Sequence, residues 1–405
     1  MNRIFLISDR EFTYQDLLTS VNATVVCRHN YQESDLFLNY SNFIKSLVHN
    51  LNIVLIDSDL TGQEIKTLGI EGLNTRIELG KDVLSSHADL IEKIKNSKSE
   101  ITFFTSGTTG QPKRVTHTIS TLTKNTKEAD RYSANVWGFA YNATHVAGIQ
   151  VLFQSLFNGN CLIDLFNKDK EYILDNIETH SITHISATPT FYRKILDEKR
   201  HFPSVKRVTF GGEKSDNRLQ ERVSRMFPNC RLNNIYASTE LGTLLISKGE
   251  YFQIPEEYKS LILIQDDELI VHKSLAGKFE VNSSKDEFYH TGDIVEWVGD
   301  DRTQFKFIRR KNDLINVGGY NVNPSAVEEI VLELSGIKSV VVYGRANSVL
   351  GNILCCDIVL TEGTTFEESD IRSFLSKRVQ NYNIPRFIKF VEEIKTTRTG
   401  KVKRV

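Results

Sequence analysis

Ile101–Val115 reads ITFFTSGTTGQPKRV: an apolar run, then a turn in which Thr105, Ser106, Thr108 and Thr109 are interleaved with Gly107 and Gly110 ahead of Lys113. The run has the β-branched and aromatic content of a buried strand. The glycines admit positive φ and close backbone approach, so successive N–H groups can converge on an anion. The hydroxyls add donors and Lys113 adds a positive charge, a set that suits a phosphate cradle and equally a plain polar turn. A Walker loop would close with Gly-Lys-Ser/Thr and open into a helix; here Pro112 separates Gly110 from Lys113, and KRVTHT alternates like a strand. This is not a P-loop.

The chain around that turn has 405 residues, 40% of them hydrophobic, enough to bury cores for two or three domains. With 50 basic and 51 acidic residues it has no global field that would draw it to nucleic acid or an anionic membrane. The apolar start is broken by Asp9, Arg10 and Glu11, and no later run approaches a membrane span, so a cytoplasmic protein is expected. Cys27, Cys161, Cys230, Cys355 and Cys356 lack zinc-like spacing, and NILCCDIVL reads as a core strand.

Downstream come NIYASTELGT (234–243), YHTGDIVEW (289–297), IRRKNDLINVGGYNVNPSAVEE (308–329) and TTRTGKVKR (396–404). FGGEK from Phe210 and ATHVAG from Ala143 add weaker matches. With FTSGTTGQPK these resemble, in order and over about 300 residues, the signature segments of the acyl-adenylate-forming superfamily of acyl- and aryl-CoA synthetases, luciferases and peptide-synthetase adenylation domains. Ala237 stands where the family usually has glycine, and Arg309-Arg310 with Asn312 where it has Gly-Arg and an acidic residue.

The resemblance implies roles residue by residue. Thr105, Ser106, Gly107, Thr108, Thr109, Gly110 and Lys113 would hold phosphate oxygens of ATP. Gly211, Gly212 and Glu213 match the adenine-contacting loop, and Tyr236, Ala237 and Ser238 continue the nucleotide site. Asp293 would accept from the ribose hydroxyls, with Arg310 presenting its planar fork beside it. Glu240, next to Thr239, offers the hard oxygen ligand Mg²⁺ prefers. Lys401 would bridge carboxylate and α-phosphate, and His145 would gate the carboxylate channel. Each residue alone has an ordinary structural explanation; their ordered coincidence points to chemistry.

Strand-like NIVLIDSD, CLIDLF, ITHISATP and VKRVTFGG alternate with helix-like SDNRLQERVSRMF, giving a layered α/β domain over 1–308. After it come NPSAVEEIVLEL with Asn323 and Pro324 at its start, then SVVVYG, ILCCDIVL, TFEESDIRSFLSKRV and FIKFVEEI, a compact α+β module over 309–405. The resemblance implies that this small domain is a mobile lid with its hinge near 310–313. About a hundred residues precede the phosphate loop, fewer than full-length members carry, so elements around the acyl or CoA entrance are expected to be trimmed.

Arg131–Ile163, implied to line part of the acyl pocket, contains no Asp or Glu, which disfavours an α-amino acid because its ammonium would be buried unpaired. Trp137, Phe139, Tyr141 and His145 favour an aryl or short acyl acid. The expected reaction is ATP- and Mg²⁺-dependent formation of acyl-AMP and pyrophosphate, then transfer to the thiol of CoA. Two alternatives stand beside it: loading of the phosphopantetheine of an acyl carrier protein, and a catalytically silent binder of nucleotide or acid. The partners implied are a small carboxylic acid and a thiol acceptor, with oligomeric state open.

Overall fold

The computed structural model describes residues 3–23, 26–81, 83–105, 113–279, 286–347, 351–398 and 400–404, with Thr105 described by its backbone alone. The largest sheet runs Gly242–Ser247, Arg231–Ser238, Arg207–Phe210, His184–Ala187, Val136–Phe139, Cys161–Asp164, Ile4–Ile7, Glu11–Thr13. Its six inner strands are parallel and its outer two antiparallel. Parallel strands are covered on both faces, which is why stretches such as CLIDLF read as apolar runs.

On one face the helices Leu36–Val48 and Val146–Phe157 pack with the sheet into a core containing Phe5, Tyr40, Phe43, Ile149 and Phe153. On the other, Lys170–Thr179, Pro189–Ile195 and Asn217–Met226 close a second core around Ile185, Tyr192 and Phe210. Each fully buried large side chain contributes about 1.5–3 kcal/mol, so these layers form a rigid platform. Residues Gly211–Glu213 and Tyr236–Ser238 lie at or just past the carboxyl ends of its parallel strands, the edge where open α/β sheets bind ligands.

A second sheet joins Asn30–Gln32, Ile53–Ile56, Glu100–Thr105, Lys113–Thr118 and Lys278–Phe279. Thr105 pairs with Lys113, so the strand read in ITFF and that in KRVTHT form one hairpin. Its connecting residues, including Ser106, Gly107, Thr108, Thr109 and Gly110, lie outside the described residues. In a third sheet, Phe288–Val298 pairs with Gln304–Arg310 and sets Asp293 directly opposite Arg310.

The last ninety or so residues have a core of their own, including Val327, Val342, Cys356, Ile358 and Leu375. Asn323 caps Pro324–Leu332 by accepting from the Ser325 N–H at 3.1 Å, as NPSAV predicts. The strands around SVVVYG and ILCCDIVL extend to Ile337–Asn347 and Gly351–Leu360, because each continues to pair with the other along its length. The final strand is shorter than FIKFVEEI suggests: only Phe387–Phe390 pairs. A large α/β domain followed by a smaller α+β domain is therefore the architecture. Among the described residues no helix is long and apolar enough to cross a membrane.

Candidate active site

Lys401 sits in a tight hairpin. The N–H of Thr397 donates to the Lys401 carbonyl at 2.7 Å, that of Gly400 donates to the Thr397 carbonyl at 2.9 Å, and Gly400 supplies the turn with a φ of +72°. The large domain grips the hairpin at two points. Thr188 Oγ1 donates to the Gly400 carbonyl at 3.1 Å, and the Val402 N–H donates to Glu213 Oε1 at 2.7 Å. The other Glu213 oxygen accepts from the N–H and hydroxyl of Thr190, at 3.1 and 2.6 Å. A Cβ on Gly212 would stand 3.2 Å from Lys401 Cε, so the glycine there makes room for the lysine.

Lys401 lies where two cavities meet and lines both. Burial pushes its ammonium below the ordinary lysine pKa, Arg310 adds to this, and the carboxylates of Glu213, Glu240 and Asp293 oppose it. The residues named from four separate stretches are thus within electrostatic reach of one amine.

The first cavity, about 370 Å³, is lined by Gly212, Tyr236, Ala237, Asp293 and Arg310 among others. Asp293 is buried; it accepts from the Tyr236 hydroxyl at 2.6 Å and from Arg310 Nε at 2.9 Å. Phe307 stacks on Tyr236 at 4.4 Å between centroids and fixes that ring. A buried carboxylate braced by a phenol and a guanidinium at the cavity wall fits a ligand with hydroxyls, and spare lone pairs remain on Asp293 for them.

Glu240 and Thr239 occupy a well-pinned turn. His117 Nε2 lies 2.7 Å from the Thr239 carbonyl oxygen, Lys124 Nζ donates to the Leu241 carbonyl at 2.9 Å, and the Gly277 N–H donates to the Glu240 carbonyl at 2.8 Å. Burial lowers Lys124 to about 8. Among the described residues no group of three or more His, Cys, Asp and Glu is placed to hold a metal. A Mg²⁺ shared between one carboxylate and substrate phosphates needs no such group; Glu240 lines neither cavity, and its charge reaches Lys401.

The second cavity, about 280 Å³, is lined by Trp137, Tyr141, His145 and Ile235 among others. His145 caps Val146–Phe157 with its backbone and makes no side-chain cap bond. Burial, then Lys401, lowers its imidazole to about 3, so it is neutral near pH 7. The turn before it is anchored by Asp57, which accepts from Thr144 Oγ1 and from Asn142 Nδ2, the latter at 3.1 Å. Phe139 does not line this cavity: it is sealed into the core, its ring 6.0 Å from that of Tyr40. An aromatic on a pocket-facing strand is here claimed by the helix packed over it.

Gly211, Gly212 and Glu213 fall where the resemblance places a nucleotide-contacting loop, yet the Glu213 carboxylate is engaged with Thr190 and Val402. Ser238 and Thr239 line the second cavity, while Lys113 is exposed and lines neither. Sequence reasoning missed Thr188 and Thr190 as receivers of the lysine hairpin, although ATPT carries the Ser/Thr-Pro pattern of a helix start. It also missed the pairing of Arg398 with Asp59 and Glu64, at 2.9 and 2.7 Å, which no local signal marks across more than three hundred residues.

The chain matches the family model for AMP-binding enzymes over residues 45–261 and that for the C-terminal domain of AMP-binding enzymes over residues 326–401. It is 27% identical over 342 residues to the 2-succinylbenzoate–CoA ligase of Listeria monocytogenes serotype 4b, covering 78% of this chain and 71% of that one. It is 26% identical over 346 residues to mouse acyl-coenzyme A synthetase ACSM4, covering 75% and 59%. Its structure resembles ATP-bound MatB from Rhodopseudomonas palustris, with a TM-score of 0.74, 16% identity and coverage of 99% and 94%. It also resembles o-succinylbenzoate CoA synthetase from Bacillus subtilis in complex with its acyl-adenylate, with a TM-score of 0.69, 19% identity and the same coverage. With both family models matched in order along one chain, this protein belongs to the AMP-binding enzymes.

Proposed function

We propose that the chain activates a carboxylic acid with ATP and Mg²⁺ as an acyl-adenylate, releasing pyrophosphate, and then transfers the acyl group to the thiol of CoA. The observation that carries this reading is the placement of Lys401 at the junction of the two cavities, gripped by Glu213 and Thr188. A carboxylate oxygen attacks the α-phosphorus and the bond to pyrophosphate breaks. Charge grows where the two substrates meet, and a pre-positioned ammonium there stabilises it without reorganisation. A Mg²⁺ held at Glu240 would neutralise phosphate oxygens.

In this reading Asp293, with Tyr236 and Arg310, receives the ribose, and the hydroxyl-rich turn at Thr105–Lys113 holds the phosphates. Neutral His145, at the start of Val146–Phe157, sits at the acyl side of Lys401 and adds no charge to repel or trap the acid. The acid is aryl or short acyl, supported by Trp137 and Tyr141 in the second cavity and by the absence, among the described residues, of any Asp or Glu from its lining. Residues 1–308 and 309–405 act as two domains, and the turn Lys311–Asp313 with Asn312 is the hinge about which Lys401 withdraws before thiol attack. The names of the relatives support CoA as acceptor.

Acid-dependent exchange of labelled pyrophosphate into ATP, with Mg²⁺ and without thiol, tests the reading. Exchange with an acid supports it. No exchange with aryl, short-chain, long-chain or amino acids, on protein that binds ATP, overturns it.

A further inference from the structure

The second cavity extends well beyond Lys401. Its floor is one face of the large sheet: of the lining residues, Trp137 and Arg207 share one transverse row, joined through His184, and Ser186, Thr209 and Asn233 lie in the next. Side chains on one face alternate, so Arg207, Thr209 and Gly211 point the same way. Arg207 lies four residue steps before Gly211, about 13 Å along the strand. Ser186, Thr209 and Gly211 are small and leave the trench open; a Cβ on Gly211 would meet Ile235 at 2.9 Å and the Tyr141 hydroxyl at 3.0 Å.

At the far end stand two cations, Arg207 and Lys127. Among the described residues neither pairs with a carboxylate, and nearby Glu128 is taken by Lys95 at 2.7 Å. Arg207 is steadied by Asn233: with that amide turned to satisfy both groups, its oxygen accepts from Nη1 at 3.0 Å. The backbone of Lys127 is held at both ends by Gln154, which accepts from its N–H at 3.0 Å and donates to its carbonyl at 2.8 Å. Both cations line the second cavity, and the charge of each reaches the Tyr132 hydroxyl. That hydroxyl accepts from Arg131 at 2.9 Å, and it is pulled below its ordinary pKa by that bond first and then by the charges of Arg131, Lys127 and Arg207.

We infer that the acid activated here carries a second carboxylate, received at the distal end of the trench by Arg207 with Lys127 while its first carboxylate meets Lys401. This rests on the adenylation reading above. A guanidinium fork steadied on one side by an amide is preset for a planar, bidentate anion, and a positive mouth with no acid among the described residues of its lining attracts a doubly charged substrate. Trp137, packed against the His184 ring at 4.8 Å between centroids with the planes tilted by 38°, and with its indole N–H donating to Asn160 at 3.2 Å, gives the trench an apolar wall for the carbons between the two charges.

The test is acid-dependent pyrophosphate exchange with symmetrical aliphatic diacids from succinate to suberate and with para-phenylenediacetate, each beside its monomethyl ester. The diacid of the right length is expected to exceed its half-ester in kcat/KM by at least about tenfold. Arg207→Gln is expected to erase that preference by raising KM for the diacid, with the half-ester unchanged, and Lys127→Gln to do so in part. Half-esters or simple monoacids used equally well, or a fall in Arg207→Gln that is the same for both members of a pair, would overturn the inference and leave adenylation standing. Silence with these acids would overturn this inference, and silence that extends to the wider panel above, on protein that binds ATP, would overturn both.

Discussion

Glu213 accepts the backbone N–H of Val402 at 2.7 Å, one residue beyond Lys401, while its other oxygen accepts two hydrogen bonds from Thr190. The carboxylate needs to accept on both sides. In Glu213→Gln one side becomes a donor facing a donor, either at Thr190 or at Val402. A hydrogen bond to a charged group is worth about 1.5–3 kcal/mol, so the adenylation rate is expected to fall about 10- to 100-fold. Thiol transfer from supplied acyl-adenylate should hold near its wild-type rate; equal loss in both half-reactions would show that Glu213 is needed for more than docking the lysine.

Arg398 also ties the lysine hairpin region to the large domain, through Asp59 and Glu64, but its side chain is 40% exposed. Exposed ion pairs contribute about 0.2–1 kcal/mol and are screened by salt. Arg398→Ala should therefore slow adenylation less than about fivefold, with the difference from wild type shrinking as salt rises. A loss as large as that in Glu213→Gln would reverse this ranking.

Asp293 joins Tyr236 and Arg310 at the wall of the first cavity. Asp293→Ala removes the acceptor proposed for the ribose and should weaken ATP binding by at least about tenfold in calorimetry, the scale of one charge-assisted hydrogen bond. Unchanged nucleotide affinity would sink the ribose role.

Burial lowers His145 to about 3, and burial followed by the charges of Arg207 and Lys206 lowers His184 to about 4. In the unfolded chain both titrate near 6.5. Between those values the unfolded state binds protons that the folded state refuses, so stability rises with pH and is lost on acidification below about 6.5. The urea midpoint should decline from pH 7 to pH 5, and the decline should be shallower in His145→Asn and in His184→Asn. An unaltered slope in both variants would contradict the burial of these rings as neutral groups.

Much of this arrangement is legible in the chain. Period and composition mark Ile53–Ile56, Cys161–Asp164, His184–Ala187 and Arg207–Phe210 as strands, because strands covered on both faces must be apolar throughout. Asp293, Arg310, Tyr236 and Lys401, named from short stretches far apart in the chain, come together in the lining of one cavity. Glu213 is legible as part of the FGGEK loop, but the partners of its carboxylate, Thr190 and Val402, depend on how two domains dock, and no local pattern encodes that. Phe139 misleads for a related reason: alternation tells which face a side chain takes, not whether a helix already covers it there. Arg207 was within reach of the same alternation, counted back from Gly211, and its significance emerges only once the register places Trp137 and His184 in its row.

The central claim is tested most directly by a single turnover without thiol. Enzyme in excess over a competent acid, with ATP and Mg²⁺, should release pyrophosphate and accumulate acyl-AMP in equal amounts until the limiting acid is consumed, and Lys401→Ala should abolish both while still consuming supplied acyl-adenylate when thiol is added. Release of ADP and phosphate in place of pyrophosphate, or full retention of adenylate formation in Lys401→Ala, would contradict the account.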